Sequence, residues 1–476
     1  MSVFSKFPRT FWVANTIELF ERWAWYGFFM LFANYLTGSS DIGGLEFSQS
    51  QKGVIMGVGT GILYFLPVLT GAIADRYGYK KMLFLAFIVY ISAFILLPMF
   101  STFTGVFLMY LYLAIGAALF KPIIQATVAK TTTEETASIG FGIFYMMVNV
   151  GAFFGPVVTL LFKGSSHLIF YVSAGIIALN FLLLPFYKEP GRDEKKKNAE
   201  PIWQTFKGIF RNMGSILKDT KFIVFLLIVA GFWAMYHQLF FTLPVFVAQW
   251  VDTSTLYNFF HTYMPFISDN YSPAPGVMDA EFITNVDAFY IILFQVLVSS
   301  LVMRMKPLHS MMAGFLVCSI GMALTFVSQH VLFLLVAILI FGLGEMAGSP
   351  KISEYIGRLA PQDKKALYMG YSFIPVFFGN LLAGVISGVV YQRMSDKVDI
   401  TYRFVADNGL RIPEGLSINA YFEEVARQAN LTPKELTNLL WDTYHPSAIW
   451  MVLLGIGLLA VISLFIYDKV ISGKQE

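Results

Sequence analysis

Glu18, Glu21 and Arg22 lie inside the first long apolar run, in the stretch Glu18-Leu-Phe-Glu21-Arg22-Trp-Ala-Trp25-Tyr26-Gly27. At ~100° per residue, Glu18, Glu21, Arg22, Trp25, Tyr26 and Phe29 share one helix face. A helix that enters a bilayer near Phe11 carries Glu21 and Arg22 roughly 15–17 Å deep, at ~1.5 Å per residue. A charge at that depth costs about 2.5–3.5 kcal/mol on an insertion-derived scale. Three such charges on one face must look inward, to partners or to a wet cavity. Groups of this kind suit ion or substrate binding; the alternative is an ion pair that only holds helices together. Lys121 lies within a later apolar run and needs an anionic partner, which Glu18 or Glu21 can supply. A carboxylate beside a cation keeps its charge. If the cation is drawn toward a substrate carboxylate, the first carboxylate takes up a proton more readily. Such an exchange couples proton binding to substrate binding.

The elements that position these groups follow from composition. The chain has 476 residues, 57% hydrophobic and 13% charged, so a soluble fold could not cover its surface. An all-α membrane protein of twelve spans is expected. The first six run approximately over 11–36, 53–75, 82–100, 104–129, 138–162 and 168–187. The second six run over 222–250, 286–305, 309–328, 331–356, 367–391 and 447–470. Lys and Arg concentrate in alternate connections: Lys6 and Arg9, then Arg76, Lys80 and Lys81, then Lys130, then the basic stretch after Lys188. Arg304 and Lys306, then Arg358, Lys364 and Lys365, then Lys469 and Lys474 continue the series. The positive-inside rule then puts both termini in the cytoplasm of a multi-pass protein of the bacterial inner (plasma) membrane. No cleavable signal peptide is expected at the start.

Residues 188–221 divide the chain into an N-terminal bundle, 1–187, and a C-terminal bundle, 222–476. This linker opens on a charged run. It continues with Trp203, Phe206, Ile209, Phe210, Met213 and Ile216 at helical spacing, which suggests a helix on the cytoplasmic membrane surface. Two outer loops are long, 252–285 and 392–446. The second should hold two short helices, near Ser417–Ala429 and from Thr432, where Thr432-Pro433-Lys434-Glu435 can form a capping box. The single cysteine, Cys318, reads as a packing residue. His261 and His445 are isolated. With no nucleophile–base pair and no metal-ligand set, an enzyme, a metal centre and a bound cofactor are not expected.

Gly71-Ala-Ile-Ala-Asp75-Arg76-Tyr-Gly78-Tyr-Lys80-Lys81 resembles the signature loop of the major facilitator superfamily, whose fold is two six-helix bundles working by alternating access. The resemblance makes Asp75 and Arg76 gating candidates. Four further stretches resemble the proton-dependent oligopeptide transporters of that superfamily. The first-helix stretch resembles their ExxERFxYYG. Gly116-Ala-Ala-Leu-Phe120-Lys121-Pro122 resembles GNGLFKPN. Phe144-Tyr145-Met-Met-Val-Asn149-Val-Gly151-Ala resembles FYxxINxGS, and Gly344-Glu345-Met-Ala-Gly-Ser349-Pro350 resembles GExxxSP. Tyr64 matches a second-helix binding tyrosine. Met369-Gly370 and Gly379-Asn380 match the eleventh helix. The resemblance implies a proton-coupling set of Glu18, Glu21, Arg22 and Lys121. It implies a substrate set of Arg22, Tyr26, Tyr64, Lys121, Asn149, Glu345 and Ser349, with the cations facing a peptide carboxylate and Glu345 facing its amino group.

Several positions depart from that pattern. Phe29 stands where the family often has Arg, and His237 where it has the partner Glu. Loss of both together avoids an unpaired buried charge. His237 could carry a proton or be a neutral wall residue. Asp287 falls near a family binding Asn, which favours a cationic substrate group or a second proton site. Ile123 replaces the Asn after Lys-Pro, and Ser372 replaces a Trp. The expected function is import of di- or tripeptides or peptide-like compounds, driven by a proton gradient and needing no cofactor. The partners are substrate, protons and membrane lipid; no nucleic acid and a monomeric state are expected. The alternatives are a same-fold transporter of a modified peptide, cell-wall fragment or other organic solute, and a nutrient receptor that binds without turnover.

Overall fold

A computed structural model describes residues 6–133, 136–162, 166–190, 203–204, 207–208, 211, 219–359, 368 and 371–472. Most of the linker stripe from Trp203 to Ile216, and Met369-Gly370, lie outside these residues. The described chain is helical, with isolated bridges in place of strands.

The first helices are α1 (Arg9–Thr37), α2 (Gln49–Phe65), α3 (Pro67–Tyr77), α4 (Tyr79–Leu96), α5 (Phe103–Lys130), α6 (Ala137–Leu160) and α7 (Ser166–Leu183). Then follow α8 (Thr220–Tyr236), α9 (Leu243–Trp250), α10 (Val286–Val302), α11 (Pro307–Leu324), α12 (Val331–Leu359) and α13 (Ile374–Val385). The chain ends with α14 (Lys397–Asp407), α15 (Ile418–Gln428), α16 (Pro433–Tyr444) and α17 (Ile449–Tyr467). Ten described segments are long and apolar enough to cross a membrane, and α2 with α3, bent by 43°, makes an eleventh. The bend sits at Pro67, whose ring cannot continue the hydrogen-bond ladder of α2. α1 is the twelfth; Glu18, Glu21 and Arg22 lower its hydropathy although its 29 residues suffice to span.

The expected spans agree with these helices to within a few residues, with two differences. The stretch 222–250 runs as one span as far as Phe241 and is interrupted at Thr242, where Pro244 opens a new helix. The loop 392–446 holds three helices rather than two, because α14 is too polar for a span and had no cap motif singled out for it. Asp396 caps it, accepting from the Asp399 N–H. The capping box of Thr432 and Glu435 is present as expected, and Ser417 caps α15.

Contacts divide the chain into two compact units. The first comprises 1–28, 59–227 and 356–377. In it α4 packs on α5 and α7, and Phe28 meets the rings of Phe94, Tyr110 and Phe170 at 5.4–6.1 Å. The second comprises 29–58, 228–355 and 378–476. Here the N-terminal part of α2 lies against α13 and the π-helical turn that follows it, Ile386–Val390. A Cβ on Gly57 would sit 2.7 Å from the Gly384 Cα, and one on Gly53 the same distance from the Gly388 Cα, so neither position admits a side chain.

The loop helices of this unit are fastened by polar contacts. Glu46 accepts from the Ile418 N–H at 3.1 Å, and Lys434 Nζ donates to Asp252 at 2.9 Å. Partial burial works against the Asp252 charge, but hydrogen bonds from Ser254 and Lys434 outweigh it and bring the carboxyl down to about 2. That lies below its unfolded value of about 3.9. The fastening is therefore complete above that value and is lost as pH falls through about 2. The protection of the amides over 431–444, relative to their intrinsic exchange rates, should be flat from neutral pH down to about 4, then fall as pH drops further.

Candidate functional site

The first cluster lies in the first unit. Glu21 is fully buried and Arg22 nearly so. The guanidinium forms a two-point contact with Glu21, Nε to Oε2 at 2.5 Å and NH2 to Oε1 at 2.7 Å. It also reaches Glu18 one turn back, at 3.3 Å. Tyr90 of α4 donates its hydroxyl to Glu21 in a short hydrogen bond. Arg22 therefore neutralises two carboxylates, and its plane lies 5.8 Å from the centre of the half-buried Tyr26 ring.

Lys121 is held differently. Its ammonium stands 4.0 Å from the centre of the Tyr64 ring, and it feels the charges of Glu21 and Arg22. The carboxylates offered as its partners by the sequence are occupied by Arg22 and Tyr90. Tyr64 is the seat of Lys121, and a cation over an aromatic face keeps donors for another anion.

α6 reaches this cluster through a glycine. A Cβ on Gly151 would stand 2.6 Å from the Leu19 carbonyl oxygen and 2.8 Å from Arg22 Cβ. Gly142, on the same helix, has nothing within 4 Å of such an atom. Gly151→Ala should cost about 1–3 kcal/mol through overpacking, whereas Gly142→Ala should be neutral or gain up to about 1 kcal/mol of helix propensity. Melting of the two variants in detergent measures the contrast. Asn149 is half-buried, and its amide donates back to the Tyr145 carbonyl at 2.8 Å.

The turn between α3 and α4 carries the gating candidates. Gly78 takes φ +98°, a left-handed conformation that suits glycine. Asp75 is exposed and accepts from the Tyr79 hydroxyl at 2.9 Å, and Lys130 donates to the same hydroxyl at 3.4 Å. Arg76 lies 5.9 Å from the Tyr77 ring centre.

The second cluster lies in the second unit. Glu345 on α12 is buried and accepts from the Tyr236 hydroxyl at 2.7 Å. Asp287, in the first turn of α10, is 5% exposed and lies against Gly342, where an added Cβ would stand 2.9 Å from Oδ1. Glu345 Oε2 and Asp287 Oδ1 are buried with no hydrogen-bond partner among the described residues. Unpartnered buried carboxylate oxygens attract a cation or a proton. Ser349 is one turn beyond Glu345 and half-buried.

The two departures, Phe29 and His237, both lie in the second unit. Phe29 packs on Phe240 and Phe241 at 5.7 and 6.1 Å. His237 is buried, and its Nδ1 lies 2.7 Å from the Trp233 carbonyl. A carbonyl only accepts, so Nδ1 carries the hydrogen and Nε2 is where a further proton would go. Sequence reading missed Lys52, which is fully buried. It donates to the Phe241 carbonyl at the break before α9, at 2.8 Å, and lies 5.3 Å from the Tyr391 ring centre. The signal available was a lone lysine just inside an apolar run.

Sequence comparison matches residues 15–264 to the Major Facilitator Superfamily. Multidrug resistance protein MdtH of Proteus mirabilis (strain HI4320) is 24% identical over 356 residues, 71% of this chain and 78% of its own. Among solved structures, a mutant of the peptide transporter POT in complex with alafosfalin superposes with a TM-score of 0.69 at 16% identity, covering 97% of this chain and 95% of that one. A POT family transporter in complex with 5-aminolevulinic acid gives 0.69 at 17%, covering 98% and 97%. The nucleoside transporter NupG, also as a mutant, gives 0.67 at 14%, covering 96% and 99%. These likenesses to solved structures are of fold.

Proposed function

Because this chain belongs to the Major Facilitator Superfamily and is a multi-pass membrane transporter, we propose that it is a proton-coupled symporter of small peptides or peptide-like compounds. The observation that carries this reading is Lys121 seated on the Tyr64 ring beside a Glu18–Glu21–Arg22 cluster. A cation held by an aromatic face can engage an incoming carboxylate without first breaking a buried ion pair. As it does so, its field shifts away from Glu18 and Glu21, and one of them takes a proton. Glu345 and Asp287 supply unpartnered carboxylate oxygens suited to an ammonium or a second proton. A solved relative in fold binds 5-aminolevulinic acid, a compound whose name states both an amino and an acid group.

A second reading keeps the transporter and changes its cargo to a modified peptide, cell-wall fragment or other organic solute. Asp287 beside Glu345 favours it, since two acids suit a more cationic cargo, and MdtH is a relative named for drugs. The test is counterflow of labelled dialanine in proteoliposomes, with unlabelled competitors. Dialanine and trialanine should compete, and dialanine amide, which lacks the carboxylate, should be roughly 30-fold weaker or worse. Equal competition by the amide, or none by any peptide, would remove peptide carboxylates from the account. Saturable binding with no flux would instead mark a receptor.

A further inference from the structure

A cavity of about 500 Å³ lies among the loop helices of the second unit, between the end of α1, α9, α14, α15 and α16. That volume is in the usual range for small-molecule sites, about 300–1,000 Å³. Its walls are mixed: Val245, Ala248, Val398, Ile418 and Phe422 supply apolar surface, beside polar groups such as Asn34, Thr37, Gln249, Thr401 and Asn419. Tyr402 and Tyr421, with rings 4.8 Å apart edge to face, line it as well.

The charges around it are unequal in their freedom. Lys434 is paired with Asp252 at 2.9 Å. Asp41 accepts from Ser39 and from the Asn419 amide, which hold its carboxyl below the usual range. Glu423 is exposed at the rim. Lys397 has a different setting. Its ammonium donates to Thr437 Oγ1 at 2.7 Å and lies 4.2 Å from the Phe422 ring centre and 5.6 Å from that of Trp250. Among the described residues it forms no ion pair, and an ammonium has three donors. The cavity thus combines apolar, aromatic and polar walls with one amine that no carboxylate answers among the described residues; burial brings Lys397 down to about 7, and a bound carboxylate favours its charged form.

We propose that this cavity binds a small organic carboxylate with an apolar body, the carboxylate on Lys397 and the body against Phe422 and the tyrosine pair. Such a ligand supplies the missing counter-charge and fills apolar space in one step. The interaction is charge-assisted and partly shielded from water, so removing the cation should weaken binding strongly.

The test is equilibrium binding of labelled 3-phenylpropionate to full-length purified protein in detergent, with Lys121→Gln present to remove the first-unit cation. Saturation below about 1 mM is expected, with 3-phenylpropionamide at least ten times weaker. Lys397→Gln should lose binding at least tenfold while its melting temperature stays within error of the parent, since the glutamine keeps a donor for Thr437. Ala248→Phe, which fills part of the cavity and keeps the Lys397 amine, should lose binding to the same degree. Equal binding of acid and amide, unchanged binding in both variants, or no saturation would overturn the proposal. Uptake plays no part in this test, so the failure of peptide symport would leave it standing.

Discussion

Arg22→Met is expected to destabilise the protein by about 3–5 kcal/mol, among the largest losses any single substitution here should give. The methionine fills the space but leaves Glu18 and the fully buried Glu21 without their cation. Tyr90 can answer one oxygen of Glu21 and no more. Removing both ends of the strongest contact, Glu21→Gln with Arg22→Met, should recover more than half of the loss, because the orphaned charge goes with the arginine. Thermal melting of the purified variants measures both. A single variant that melts with the parent would show that Arg22 does not neutralise the cluster.

Lys121→Gln should behave in the opposite way, folding normally and failing in function. Its ammonium rests on Tyr64, so its loss orphans no carboxylate in an ion pair. If it receives the substrate carboxylate, affinity should fall by about 2–5 kcal/mol, which is roughly 30-fold to several thousand-fold. Gradient-driven accumulation should disappear altogether if the proposed coupling holds, since the cation whose field acts on Glu18 and Glu21 is gone. Melting temperature and labelled-peptide counterflow separate the two effects. Intact proton-driven accumulation in this variant would break the coupling account.

The contrast between these two residues also shows what the sequence could and could not convey. Hydropathy placed the spans well, because a bilayer demands about 20 apolar residues whatever their packing. It did not show the interruption at Thr242, because apolar residues lie on both sides of it, from Leu239 to Phe241 and from Leu243 onward. α14 was missed because a short polar helix has neither a span's hydropathy nor a strong start signal beyond Asp396. Periodicity put Glu18, Glu21 and Arg22 on one face, and the structure joins them. Their third partner, Tyr90, is one aromatic among many and carries no signal of its own. The seat of Lys121 could not be read from spacing, because Tyr64 and Lys121 are far apart in the chain and meet through packing alone. Phe29 reads as a missing charge in sequence and proves to be a contact with Phe240 and Phe241. Gly151 was legible as part of a motif, but the reason for it, an approach to Leu19 and Arg22 that leaves no room for a methyl group, needs coordinates.

The central claim is tested most directly by uptake of labelled dialanine into proteoliposomes, with and without an inward proton gradient. The account predicts accumulation above equilibrium with the gradient, and equilibration without it. Well-folded protein that shows no gradient-dependent accumulation would contradict it, and would turn attention to Phe29, His237 and Asp287, the positions that depart from the oligopeptide-transporter pattern.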